Sequence, residues 1–126
     1  PAPHQPPRHR PGDDVGPQYR LGELLGYNDK GTNGPAVKNP SAGAPDDTRK
    51  GSASLAALHS RGAVFTVCGM AMAAYAGQAA QRAGSDSATT LADFRANLVP
   101  GGVEVVAGVI AVNRAQERGL SYVYVG

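Results

Sequence analysis

Residues 51–126 of the sequence predict a small α/β domain with parallel strands. Short β-branched runs alternate in this region with longer runs of helix-forming residues, and glycines separate them. The connections between successive strand-like runs are long enough to hold a helix. Strands joined by a helical crossover pair in parallel, with a right-handed connection. The order of the elements therefore predicts the class of the fold.

The first elements of this domain are a short helix and a strand. Ser52 or Ser54 can cap the helix, and Gly62 can end it in the left-handed conformation. The uncharged run 63–67, Ala-Val-Phe-Thr-Val, has the composition of a strand that is buried on both faces. We therefore expect a strand that ends immediately before Cys68.

Two helices are predicted after this strand. Residues 69–82 are rich in alanine and lack proline, and Gly84 follows them, which is typical of a helix and its end. Asp86 or Ser87 can cap a second helix that runs to about Asn97. Its apolar residues recur at spacings of three and four, as a helix with one buried face requires.

A strand, a helix and a third strand complete the predicted order. Residues 103–106 form the second strand, residues 109–118 a helix, and residues 120–125, Leu-Ser-Tyr-Val-Tyr-Val, the third strand. Three parallel strands are about half of a doubly wound sheet. We expect that a preceding βα portion has been lost from the chain, in preference to a partner chain that supplies the missing surface.

Residues 1–50 have a different composition and are expected to form a Pro/Gly-rich arm. Nine of the ten prolines lie within residues 1–45, and proline fixes φ and lacks a backbone donor. Only residues 19–25, Tyr-Arg-Leu-Gly-Glu-Leu-Leu, have the spacing for a turn or two of helix. We expect an extended segment that lies over the core or over a neighbouring chain, or that is disordered in solution.

Composition argues against several classes of partner. The 12 Lys and Arg residues against 10 Asp and Glu residues give a net charge of +2, which is too small for the one-sided field that attracts phosphate backbones. No run approaches the roughly 20 apolar residues that span a bilayer. His4 and His9 lack partners at metal-ligand spacing. We expect no nucleic acid, no membrane span, no metal and no cofactor.

Cys68, the single cysteine, is the first candidate for chemistry. It lies between a predicted strand and a helix that begins at Gly69, and ligands bind beyond the carboxyl ends of strands in open α/β sheets. The first amides of a helix favour a thiolate, which is the nucleophilic form. A small buried hydrophobe that finishes the strand is the other interpretation, and position alone favours neither.

Four further residues are expected to bind a ligand beside this thiol. Gly69 and Met70 begin the helix after the first strand, and Gly108 and Val109 begin the helix after the second. Helix amides at this edge can bind an anion. A tight turn that needs a residue without a Cβ atom is the alternative for Gly108, and core packing is the alternative for Met70.

Two other polar residues are expected to have structural roles. His59 precedes the first strand, so it should lie at the amino edge of the sheet, away from Cys68. Glu104 is a charge inside an apolar strand, and such a residue is usually exposed or paired with an arginine.

The sequence also resembles a known family. The matching segments are 63–71 (Ala-Val-Phe-Thr-Val-Cys-Gly-Met-Ala), 98–102 (Leu-Val-Pro-Gly-Gly), 106–119 and 121–126. Over residues 55–126 the chain resembles the DsrE/DsrF-like proteins, in particular their uncharacterised and often exported DsrE-like branch. Members of that branch often have proline where this chain has Val106.

The resemblance implies a fold and a function for this chain. It implies a flavodoxin-like parallel sheet flanked by helices, with strand and helix before residue 51, in a trimer or hexamer. In the sulfur-relay members a cysteine after a central strand carries sulfur as a persulfide, and Cys68 matches that cysteine. A sulfur donor or acceptor protein is then a partner. The resemblance implies a bacterial protein, exported or cytoplasmic, and favours export.

Three functional hypotheses follow. The first is a DsrE-like oligomer whose Cys68 carries or binds a sulfur species. The second is a non-catalytic module that uses the space between Cys68 and Gly108 for a small ligand or a subunit edge. The third is a thiol redox sensor that forms an intermolecular disulfide.

Overall fold

The computed structural model describes residues 15–42 and 51–125, which form a mixed helix and strand fold. In chain order its elements are α1 (Val15–Tyr19), α2 (Leu21–Leu24), α3 (Leu55–Ser60), β1 (Phe65–Cys68), α4 (Gly69–Ala83), α5 (Ser87–Ala96), β2 (Gly102–Val105) and α6 (Gly108–Glu117), with a 3-10 turn at Gly51–Ala53. The predicted α/β class is confirmed. No helix within the described ranges has the length and apolar character needed to cross a membrane.

The two strands form a parallel sheet. β1 and β2 pair from Phe65 opposite Gly102 to Cys68 opposite Val105, and α4 and α5 lie between them in the chain. Parallel pairing through a helical crossover is therefore confirmed. The carboxyl ends of both strands lie at the same edge of the sheet, so Cys68 and the residues after Val105 lie close together.

The predicted third strand does not form. Residues 120–125 have no regular secondary structure, and all six of them are exposed. Within the described part of the chain, the sheet has only its two strands. Strand-forming side chains stabilise a strand only when backbone groups and neighbouring side chains pair with it. The flavodoxin-like arrangement therefore stays a prediction.

β1 is not buried on both faces, contrary to the prediction from its composition. Thr66 is exposed, Phe65 and Val67 are partly buried, and Val64, just before the strand, is 71% exposed. The reason is that α4 packs mainly against α5 and has few contacts with β1. The helices thus leave much of this small sheet open.

Local signals define the helix ends as predicted. Ser54, not Ser52, caps α3, and its side chain accepts the backbone N–H of residue 57 at 3.1 Å. Asp86, not Ser87, caps α5 and accepts the N–H of residue 89 at 2.9 Å. Gly84 ends α4 with φ of 68°, a conformation that glycine adopts without strain.

The best-buried residues lie between the helices and the N-terminal segment. Tyr19 is 2% exposed and Ala79 of α4 is 0% exposed. The Tyr19 ring packs against Phe94 of α5 in a T-shaped arrangement with a centroid distance of 5.6 Å, and its hydroxyl donates a hydrogen bond to the Asp93 carboxylate. The pKa of Tyr19 is raised, first by that hydrogen bond and then by burial.

The N-terminal segment 15–42 therefore packs on α4 and α5. Its helices α1 and α2 together cover most of the predicted helical stretch 19–25. The remainder of the predicted arm, including His4 and His9, lies outside the described residues, as does Gly126. The division of the chain at residue 50 stays a prediction.

Candidate functional site

Cys68 is both the last residue of β1 and the N-cap of α4. Its backbone is extended, with φ of −69° and ψ of 112°, and its Sγ accepts a hydrogen bond from the Ala71 N–H at 3.4 Å. The sulfur takes the place of the oxygen that caps most helices. The strand-to-helix junction predicted from the sequence is confirmed, although the strand begins two residues later than expected, at Phe65, and ends one residue later, at Cys68.

A second helix begins beside the same sulfur. A Cβ atom built on Gly108, the first residue of α6, would lie 3.7 Å from the Cys68 Cβ. Ala107 is the N-cap of α6 and provides no side-chain hydrogen bond to its first turn. The unpaired amides at the start of this helix therefore face the thiol region. Two helix N-termini converge on Cys68.

These amides change the acidity of the thiol. The pKa of Cys68 is lowered from its ordinary value, chiefly by the Ala71 N–H and next by the Gly108 N–H, with a smaller effect from Met70; partial burial acts in the opposite direction. Hydrogen bonds to the charged form favour the thiolate. Cys68 is only partly buried, so it is not the enclosed hydrophobe of the alternative interpretation.

Gly69 is needed for packing between α4 and β2. A Cβ atom there would lie 2.9 Å from the Val105 carbonyl oxygen and 2.9 Å from Glu104 Oε1. A backbone carbonyl cannot move aside as a flexible side chain can. We therefore attribute the glycine to the close approach of β2 and not to access for a reagent.

The other predicted ligand residues reach the same edge of the sheet. The Met70 N–H donates to the Val106 carbonyl at 3.3 Å, which joins the start of α4 to the end of β2. The side chains of Met70 and Val109 are 67% and 79% exposed. The structure thus brings Gly69, Met70, Gly108 and Val109 around Cys68, and their ligand stays a prediction.

Glu104 is paired with an arginine, as expected. Arg95 of α5 donates from Nε to Oε2 at 2.8 Å and from Nη2 to Oε1 at 2.9 Å. This pair lowers the pKa of Glu104 and raises that of Arg95. Because Glu104 lies next to Gly69, its charge would oppose a thiolate at Cys68, and Arg95 offsets it.

His59 lies at the opposite edge of the sheet. Its Nδ1 is 3.3 Å from the Ala63 carbonyl oxygen, before β1 begins, and its ring covers Gly101, before β2 begins. It is the sole histidine among residues 15–42 and 51–125. Within those residues the thiol is therefore activated by backbone amides and not by an imidazole.

The described residues contain no group of three or more His, Cys, Asp or Glu side chains that could hold a metal ion.

A cavity of about 430 Å³, lined by the N-terminal segment, α4 and α5, was not predicted from the sequence. Leu21 and Leu25, on either side of Gly22, line this cavity, and their apolar character could have indicated a buried surface in this part of the chain. Their placement over α4, however, depends on tertiary contacts.

Comparison with known proteins identifies no relative: no family model, no curated protein and no solved structure matches this chain. The resemblance to DsrE-like proteins therefore stays a prediction from the quoted residues.

Proposed function

We propose that this chain is a DsrE-like sulfur carrier in which Cys68 holds sulfur as a persulfide. The observation that supports it best is the position of the Cys68 sulfur at two helix N-termini on the open edge of a parallel sheet. A thiol in such a place is deprotonated more readily than a free cysteine and is accessible to a reagent. If active, the chain is then a transferase-like protein with one essential side chain.

The proposed reaction moves one sulfur atom between two thiols. The Cys68 thiolate attacks the outer sulfur of a donor persulfide, R–S–SH. The S–S bond of the donor breaks as a new S–S bond forms on Cys68, and the donor leaves as the thiolate R–S⁻. The proton stays on the transferred sulfur, and no external oxidant or reductant is consumed. Delivery to an acceptor thiolate follows the same steps with Cys68 as the leaving group.

The same amides suit the loaded state. A persulfide anion carries its charge on the sulfur atoms, and the N–H groups of Ala71 and Gly108 are already in place to stabilise negative charge there. This sequence contains one cysteine, so it has no second thiol that could convert the persulfide into an internal disulfide. Sulfur is thus kept until another molecule accepts it.

The proposal includes partners. A sulfur donor or acceptor protein must approach the edge of the sheet that carries Cys68, and the chain assembles as a trimer or hexamer. Exposed apolar side chains just after β2 and in α6 support an interaction surface at this edge: Val106, Val109 and Ile110. The proposed setting is bacterial, with export favoured over the cytoplasm.

Intact mass spectrometry tests sulfur loading. The reduced chain is treated with a small persulfide donor at neutral pH, once folded and once unfolded in urea. We expect the folded chain to gain one sulfur atom faster than the unfolded chain, because only the fold provides the helix amides. Subsequent cyanide should remove that sulfur as thiocyanate. The Cys68→Ser variant controls for addition elsewhere. Equal rates for folded and unfolded chains, or no sulfur gained, would contradict the proposal.

A thiol redox sensor is a second candidate, since it needs the same accessible thiol of lowered pKa. It predicts an intermolecular disulfide after mild oxidation, visible as a dimer on a non-reducing gel and reversed by reductant. Disulfide formation without stable sulfur loading would favour the sensor. A native thiol that is inert in both assays would leave the non-catalytic binding module.

A further inference from the structure

We propose that the cavity between the N-terminal segment and helices α4 and α5 binds a small, uncharged and mostly apolar molecule. Its volume of about 430 Å³ lies within the range of roughly 300–1,000 Å³ that is usual for small-molecule sites. Neither Cys68 nor the first turn of α6 contributes to its lining. The site is therefore separate from the thiol, and this inference does not depend on the proposed function.

The walls of the cavity define the main part of the ligand. Apolar side chains come from the N-terminal segment, from α4, from α5 and from the residues just after α5: Leu21, Leu25, Val37, Met72, Phe94 and Leu98. Among residues 15–42 and 51–125, no carboxylate contributes to the lining, and Lys38, the one charged residue there, already has an interaction of its own. A cationic ligand would find no counter-charge among these residues. An apolar body without charge is the best match for these walls.

The polar residues of the lining can orient such a ligand. Asn39 Oδ1 accepts a hydrogen bond from the Ser41 N–H at 3.0 Å, and Asn97 Nδ2 donates to the Asp93 carbonyl at 2.9 Å. Within the described residues, these bonds leave the Asn39 amide nitrogen and the Asn97 amide oxygen available. One donor and one acceptor match a hydroxyl, carbonyl or amide group on the ligand. A peptide would bring such groups with every residue, which is more than this lining can pair.

The N-terminal wall is held in place by its own backbone. The Tyr27 N–H donates to the Gly22 carbonyl at 2.7 Å, and the Ala36 N–H donates to the Tyr27 carbonyl at 2.9 Å. A Cβ atom on Gly22 would lie 2.1 Å from the Ala36 oxygen, so only glycine allows the two stretches to cross this closely. A wall that is fixed before binding reduces the ordering cost of the complex.

Fluorescence of the neutral dye N-phenyl-1-naphthylamine tests the site in the full chain. We expect saturable binding at one site per chain, with a rise and a blue shift in emission. Val37→Trp should weaken it at least about tenfold, because an indole at this 65% exposed position can fill the cavity from its rim without disturbing the core. Val64→Trp, at a 71% exposed position outside the lining, is the matched control.

Further arms keep the test decisive. Leu25→Trp, also at the rim, replaces Val37→Trp if circular dichroism shows that the latter is unfolded. Cys68→Ser should bind the dye as the parent does, because the thiol does not line the cavity. The test of the cavity is therefore independent of the test of sulfur loading. Decanol should displace the dye, and decylamine should not. Non-saturable binding, or unchanged binding in the folded rim variants, would overturn the site, and equal displacement by both competitors would overturn the ligand class.

Discussion

The two ends of α4 lie in opposite surroundings. Its middle and last turns bury Ala76, Ala79 and Ala80 against α5 and Tyr19, whereas its first residue follows a partly exposed Cys68 at the open edge of the sheet. The buried packing and the accessible thiol therefore lie at different ends of one helix. The comparison shows that the thiol is held by a helix that is anchored elsewhere, so its own surroundings can stay open to a reagent.

Alanine explains the packing of the second half. Small side chains allow α5 and the Tyr19 ring to approach the helix axis closely, and a buried aromatic ring contributes a large apolar area. The first turn has the opposite need. Its amides have no partner within the helix, so they are paired from outside it: the Cys68 sulfur accepts the Ala71 N–H, and the Val106 carbonyl accepts the Met70 N–H.

The largest expected effect comes from removing the anchor at the buried end. Tyr19→Ala should lower the free energy of unfolding by about 3–5 kcal/mol, because it leaves a cavity between α4 and α5. Urea unfolding followed by far-UV circular dichroism measures this change. Tyr75→Ala, on α4 but 43% exposed, is the control and should have a much smaller effect. Equal effects of the two substitutions would mean that the N-terminal segment does not anchor the helix.

The second effect concerns the exposed end. Gly108→Pro removes the N–H that faces Cys68, and proline suits the first position of a helix. Ala107, with φ of −149° and ψ of 140°, has the extended backbone that a following proline requires. We expect the pKa of Cys68 to rise relative to the parent chain. The rate of alkylation by iodoacetamide should then reach its midpoint at higher pH.

Gly108→Ala is the matched control for this change. It adds a Cβ atom in ordinary contact with Cys68 but keeps the N–H, so it should leave the pH profile nearly unchanged. The pKa of Cys68 should rise only in the proline variant, because the hydrogen bond from the residue 108 N–H favours the thiolate and only proline removes it. Identical midpoints in the two variants would show that α6 does not contribute to the acidity of the thiol.

The smallest effect is expected from the ion pairs at the two ends. Arg95→Gln leaves Glu104 without its partner beside Gly69 and should raise the pKa of Cys68 slightly, since solvent screens this exposed charge. Arg82→Gln breaks the ion pair with Glu23 at the far end of α4 and should leave the pKa of Cys68 unchanged. The alkylation profile at low salt distinguishes them, and high salt should remove the difference. If the pKa of Cys68 shifted equally in both variants, the Arg95–Glu104 pair would have no specific effect on the thiol.

Features with a local cause could be predicted from the sequence. The caps at Ser54 and Asp86, the stop at Gly84 and the strand-to-helix junction at Cys68 each depend on residues within one turn of the chain. For Glu104, the sequence predicted either exposure or pairing with an arginine, because an unpaired buried charge in an apolar strand is costly. The identity of that arginine as Arg95 required the structure.

Features that depend on distant partners could not be predicted. The run 120–125 has strand-forming residues, but a strand also needs a neighbour, and neither β1 nor β2 pairs with it in the described part of the chain. The composition of β1 indicated burial without showing which helices would cover it. Tyr19 gave no sign in the sequence that it would pack against α4, since that contact joins residues about 60 positions apart in a proline-rich region.

The Cys68 sulfur has two roles: it is the thiol of the candidate site, and it caps α4. The same sulfur that would react also accepts the Ala71 N–H and so stabilises the first turn of α4. Any group attached to it would therefore also change the stability of that turn. By reciprocity, fraying of the helix at this end would remove the amide hydrogen bonds that lower the pKa of Cys68, and this pKa would then rise. Any modification of the Cys68 sulfur and the conformation of this turn are therefore thermodynamically coupled.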